Sequence, residues 1–245
     1  MDARTVSAGA AMRLAYGLLL RQLVTRGRVL ALLAVGAVVA VIAAAVGASN
    51  GINHAEDAVH VIADLGFTAV VPIVALVFAG ASLGDAREDG TLVYLWLRPM
   101  DRWPVVVGAW AAAVTVSLPL TIVPLTVAAV LADGGSSLVT ASIVASVVGV
   151  LAYSAVFVWL GLMVRNAIVW GLAYILVWEG IIAAFGSFAA RLALRGYTRS
   201  IIVQMTDVDL DLGSASLATG IAVPLVVAVV ALALSARRLR TMDIA

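Results

Sequence analysis

The chain is 245 residues long, 64% hydrophobic and only 12% charged, with a net charge of +1. A soluble domain carries about 45–50% apolar and about 25% charged residues, so this chain cannot hide its apolar surface in one water-soluble core and takes lipid as its solvent. All 15 basic residues are arginine and there is no cysteine. A Walker-type phosphate loop needs a lysine, so any ATP hydrolysis must come from a partner, and thiol catalysis, iron–sulfur ligation and disulfides are excluded.

Met1–Arg28 holds five arginines and is not apolar enough to span. From Ala11 onward it alternates Arg13, Arg21 and Arg26 with Leu14, Leu18, Leu19 and Leu23. That spacing predicts an amphipathic helix in the headgroup layer, apolar side down and arginines up. No small-residue cleavage site follows a short apolar core, so the first apolar run is expected to be a retained helix rather than a signal peptide.

Six apolar segments follow, at Val29–Ala48, Leu65–Leu83, Val105–Leu131, Val139–Val164, Ala167–Phe188 and Ala215–Ala236. Each is long enough to cross about 30 Å of hydrocarbon at about 1.5 Å per residue. The third holds Pro119 and Pro124, and Pro72 and Pro224 fall in the second and sixth, so kinks are expected there. With both termini cytoplasmic, 12 of the 15 arginines lie inside, and only Arg191, Arg195 and Arg199, in the last outer loop, lie outside. The basic-residue bias selects that orientation.

The first outer loop, Ser49–Asp64, carries His54, Glu56, Asp57, His60 and Asp64. Asp57, His60 and Asp64 share one helix face, but the set lacks the spacing of a metal site and reads as a solvated loop. In the last outer loop, Asp207-Val208-Asp209-Leu210-Asp211 begins like a calcium loop. Leu212 then stands where such a loop needs glycine, and Ala218 where it needs glutamate. An acidic, loosely structured rim is expected instead, and no metal.

Glu179 lies near the middle of the fifth span, where a carboxylate costs about 2.5–3.5 kcal/mol on insertion scales. Two readings stand: a group lining a translocation path or subunit interface, or a carboxyl hydrogen-bonded between helices to hydroxyls such as Ser117, Thr121 or Ser154. Both histidines sit in the first outer loop and no predicted span holds an aspartate. That removes a buried serine–histidine dyad, a histidine-ligated zinc and an aspartyl protease from the spans, and the chain is read as no enzyme.

Between spans two and three the sequence has its own grammar. Glu88 closes the second span, Gly90-Thr91 breaks the helix, and Thr91 can cap a new one through its hydroxyl. The new helix, Leu92–Leu97, is almost wholly apolar and ends at Arg98-Pro99. A short apolar helix outside the hydrocarbon wants a protein partner or the membrane surface, and Trp96 and Trp103 suit the latter.

The order Glu88, Gly90-Thr91, Leu92–Leu97, Pro99, Arg102 and then Gly108 resembles the signature of type-2 ABC exporter permeases. Trp178-Glu179-Gly180 is similar to a motif in one branch of that family. One departure stands out: many members have lysine after that glycine, and here Ala109 follows Gly108. Any lysine-borne contact to phosphates or to the N-terminal helix is thereby removed.

The resemblance implies an all-α membrane protein of three parts: an N-terminal connecting helix at residues 1–28, a six-span permease domain at 29–236 and a tail at 237–245. It implies a cytoplasmic coupling helix between spans two and three and a longer outer segment before span six. It further implies a subunit of an ATP-driven exporter in the plasma membrane; the alanine- and valine-rich spans, with few polar groups, suit an apolar or amphipathic cargo such as a lipid, drug or peptide. ATP and Mg are expected on two copies of a partner ATPase, with a second permease subunit and membrane lipid as the other partners and no nucleic acid. Glu88, Gly90, Thr91, Leu92, Tyr94, Leu95, Trp96, Pro99 and Arg102 would form the ATPase contact, and Glu88 is expected to hold Arg21 or Arg26. The rival expectation is an ATP-independent transporter or channel with Glu179 as its ion or proton site.

Overall fold

A computed structural model describes residues 7–48, 54–88, 90, 101–181, 193–208 and 215–242, and no strand occurs among them. The helices are α1 (Ala8–Leu23), α2 (Arg26–Gly47), α3 (Glu56–Glu88), α4 (Trp103–Leu131), α5 (Gly135–Met163), α6 (Ala167–Ile181), α7 (Leu194–Thr206) and α8 (Leu217–Thr241). Five of them, α2, α3, α4, α5 and α8, are long and apolar enough to cross a membrane. The described part of α6 is shorter, and residues 182–188 of the predicted fifth span lie outside the described residues.

α5 is the hub. It packs against α4, α7, α8 and much of α3, and its Tyr153 and Phe157 are among the largest fully buried side chains. α2 and α8 lie at the periphery, with only 22% of their apolar windows buried. A helix apolar all round yet mostly uncovered by protein is stable only where its surroundings are hydrocarbon. Val41, Val229 and Val169, each 65–68% exposed, mark that outer surface on α2, α8 and α6.

α3 is longer than its predicted apolar core. Two stretches within it, Ile62–Val70 and Leu76–Gly80, are π-helical. Such widened turns are rare and concentrate at functional sites. α4 runs as one helix through Pro119 and Pro124. Pro124 is also a contact point, since a Cβ on Gly36 of α2 would meet its ring at 2.6 Å.

α1 forms where the leucine spacing predicts, with Ser7 as its N-cap accepting the Ala10 N–H at 3.4 Å. Its buried line, Ala11, Ala15, Leu19 and Leu23, is nevertheless set against protein. The facing helix is α4: the Tyr16 hydroxyl donates to Thr115 Oγ1 at 3.3 Å, and Gly108 lies under the Met12 carbonyl. Leu14 and Leu18, 49% and 64% exposed, are left as the outward apolar surface. A Cβ on Gly108 would stand 2.9 Å from the Met12 oxygen and 3.1 Å from the Tyr16 nitrogen. Both are backbone atoms and cannot step aside, so Gly108→Val should cost about 1–3 kcal/mol, read as a lower thermal midpoint of the protein in detergent.

Candidate functional site

Two sites emerge, one at each level of the bundle. The first lies at the end that carries α1, where α3 stops. Glu88 ends α3, and Gly90 follows at φ 67, the left-handed conformation that glycine accepts without steric cost, with its N–H on the Arg87 carbonyl at 3.3 Å. Arg102 stands at the N-cap of α4. Thr91, Leu92, Tyr94, Leu95, Trp96 and Pro99, the body of the expected coupling helix, lie outside the described residues.

The last turn of α3 is tied on two sides. Glu88 does not hold Arg21 or Arg26: its Oε1 accepts the backbone N–H of Asn166 at 2.7 Å, at the entrance to α6. The ion pair to the N-terminal region is instead Arg28–Asp85, at 3.0 Å. The helix offset explains the change. Asp85 lies nearly one turn before Glu88, and this places it beside the first turn of α2. Beside these contacts is a cleft of about 200 Å³, lined by Gly80, Gly84, Asp85, Glu88 and Asn166.

The second site is built on Glu179, which is 1% exposed. Tyr174–Ile181 is π-helical, and bonding from i to i+5 brings residues five apart onto one face. Tyr174 is therefore in reach, and its hydroxyl donates to Glu179 Oε1 at 2.8 Å. From α5 the Tyr153 hydroxyl donates to Oε2. The remaining two donors are backbone amides of the first turn of α7: Leu194 N–H to Oε1 at 3.2 Å and Arg195 N–H to Oε2 at 3.3 Å. A carboxylate offers about four acceptor positions, and all four are filled. At a helix N-terminus, where amides lack intrahelical partners and the macrodipole is positive, that is a favourable place for it.

The serine and threonine hydroxyls expected around Glu179 are not its partners. Thr121 bonds back to the Ser117 and Leu118 carbonyls of its own helix. Ser117 Oγ and Ser154 Oγ are buried without a partner among the described residues. Sequence reasoning missed Tyr153 and Tyr174; the signal for Tyr174 is the five-residue spacing, legible only if a π turn is assumed.

α7 corrects a larger expectation. Within the segment read as the last outer loop, 194–206 is a helix packed into the bundle, with Leu194, Thr198, Ile201 and Ile202 buried. Thr198 packs on Gly149, the midpoint of α5, and a Cβ on Gly220 of α8 would meet the Tyr197 carbonyl at 3.1 Å. The arginines assigned to water are buried with it: Arg195 is 6% exposed and Arg199 is 7% exposed. Arg199 Nη1 pairs with Asp64 Oδ1 of α3 at 2.9 Å, so Asp64 serves an ion pair. No metal-ligating cluster occurs among the described residues. The expected acidic rim, Asp209 and Asp211, lies outside them, and Asp207 ends α7 at φ 55.

A scan against protein-family models finds no match to this chain, and a search of curated proteins finds none either.

Proposed function

We propose that the chain is the membrane-embedded permease subunit of an ATP-driven exporter of the type-2 ABC class. Its six spans have both termini on the cytoplasmic side of the plasma membrane, and the cargo is apolar or amphipathic. The observation that carries this reading is the tethering of the α3 end. The residues that resemble the family signature begin at Glu88, and there the chain is bonded both to the start of α2, through Arg28–Asp85, and to the start of α6, through Asn166. A push delivered to the Thr91–Leu97 segment by a partner ATPase reaches three helices at once. That is what a lever needs if nucleotide-driven closure is to shift spans between inward- and outward-facing states.

Glu179 is a poor ion or proton site in this reading, because its four acceptor positions are filled by the chain's own donors. The transport step itself rests on family analogy. The test is crosslinking. With an ATPase subunit co-expressed and co-purified, a photoreactive side chain at Leu95 or Trp96 should couple to it, and the complex should contain two copies of each subunit. Absence of any crosslink from either position sinks the reading.

A further inference from the structure

α7 carries two buried cations, and the two anions that answer them come from different helices. Arg199 pairs with Asp64 of α3 at 2.9 Å. One turn earlier, the buried Arg195 gives its backbone N–H, beside that of Leu194, to the carboxyl of Glu179 of α6, which caps the helix start. The Nε atoms of Arg195 and Arg199 have no hydrogen-bond partner among the described residues; α7 is bonded to α3 through the Arg199 side chain and to α6 through the Leu194 and Arg195 amides. Arg199 is the buried member of its pair, whereas the Asp64 side chain is 54% exposed, so removing the carboxylate is what leaves a buried charge without an answer.

We propose that α7 is a cationic wedge clamped between α3 and α6, with Asp64 and Glu179 as its positioning residues. Each carboxylate sets the place of α7 relative to its own helix, and relative movement of α3 and α6 breaks the clamp and lets α7 leave its seat on Gly149. Among the described residues α6 is bonded to α7 at the Glu179 carboxyl, and α3, α5 and α8 pack on α7 as well. The inference does not rest on the permease reading and needs no ATPase to test.

The absence of cysteine makes the test direct. Thr198→Cys places one thiol in the seat of α7, where the native residue is 1% exposed, and Ser117→Cys places a control thiol in α4, which is 0% exposed. Each is labelled in lipid nanodiscs with a charged maleimide. The Thr198→Cys protein should react slowly, and Glu179→Gln or Asp64→Asn added to it should raise its rate about ten- to hundredfold by local opening. Glutamine keeps the shape of glutamate but turns an NH₂ toward two of the four donors. The Ser117→Cys rate should stay low in the same backgrounds, and Asp64→Arg combined with Arg199→Asp should return Thr198→Cys to slow labelling. An unchanged Thr198→Cys rate, a parallel rise at Ser117→Cys, or failure of the exchanged pair to restore protection each overturns the clamp.

Discussion

Glu179→Leu is expected to abolish accumulation of the folded protein rather than to leave a folded but inactive chain. Leucine fills the volume but accepts nothing. The Tyr153 and Tyr174 hydroxyls and the Leu194 and Arg195 amides would lose their acceptor together. Each buried donor left unmet costs about 1–3 kcal/mol, and the four together approach the whole net stability of a typical domain, about 5–15 kcal/mol. Arg195, itself only 6% exposed, would also lose the carboxyl that its own backbone N–H is bonded to. Yield of monodisperse protein after detergent extraction, followed by the thermal midpoint, checks this. A group lining a transport path would behave in the opposite way, with leucine leaving the midpoint intact and removing transport alone. Tyr153→Phe and Tyr174→Phe each delete one of four donors and leave both carboxyl oxygens with a backbone N–H, so only one acceptor position is emptied. Each should therefore lower the midpoint by far less than Glu179→Leu.

The spans were legible because hydrocarbon imposes one simple rule. A helix that must satisfy its own backbone and show apolar side chains on every side writes an unbroken apolar run into the sequence. α2, α4, α5 and α8 accordingly lie within a few residues of where composition puts them. α7 was not legible for the converse reason. Its seat is protein rather than lipid, so it tolerates Arg195 and Arg199, and two arginines in thirteen residues read as an outer loop when only local composition is weighed. The clue was there: Leu194, Thr198, Ile201 and Ile202 fall on one helical face. Pairing Arg199 with Asp64 needed a contact across more than a hundred residues, which periodicity does not encode. The same limit applies at α1, where the spacing gave the helix but not which neighbour covers its small residues. At Glu88 the sequence located the junction but named the wrong partners, since Asp85 and Glu88 differ by less than one turn and only packing decides which faces α2.

Gly161→Leu should be the most damaging change at the α1 end. Gly80 and Gly84, four apart on α3, press against Gly161 of α5, and a Cβ on Gly161 would stand 2.8 Å from the Gly80 carbonyl oxygen and 3.4 Å from the Gly84 nitrogen. Small residues at this spacing let two helix backbones meet, and in lipid that close packing is a main source of helix–helix affinity. The obstructing atoms are main chain, so the helices must part; no side chain can swing away. A loss of about 3 kcal/mol is expected, with Gly161→Ala, which carries only the first clashing atom, falling between it and the parent in thermal midpoint. The damage would not stay local. The parted surfaces sit next to the 200 Å³ cleft and to the contacts of Asp85 with Arg28 and of Glu88 with Asn166. If the α3 end transmits force from a motor, Gly161→Ala should retain ATPase binding yet weaken the stimulation of ATP hydrolysis by cargo. A protein with lowered stability but full stimulation would show instead that the tight α3–α5 contact serves the fold alone.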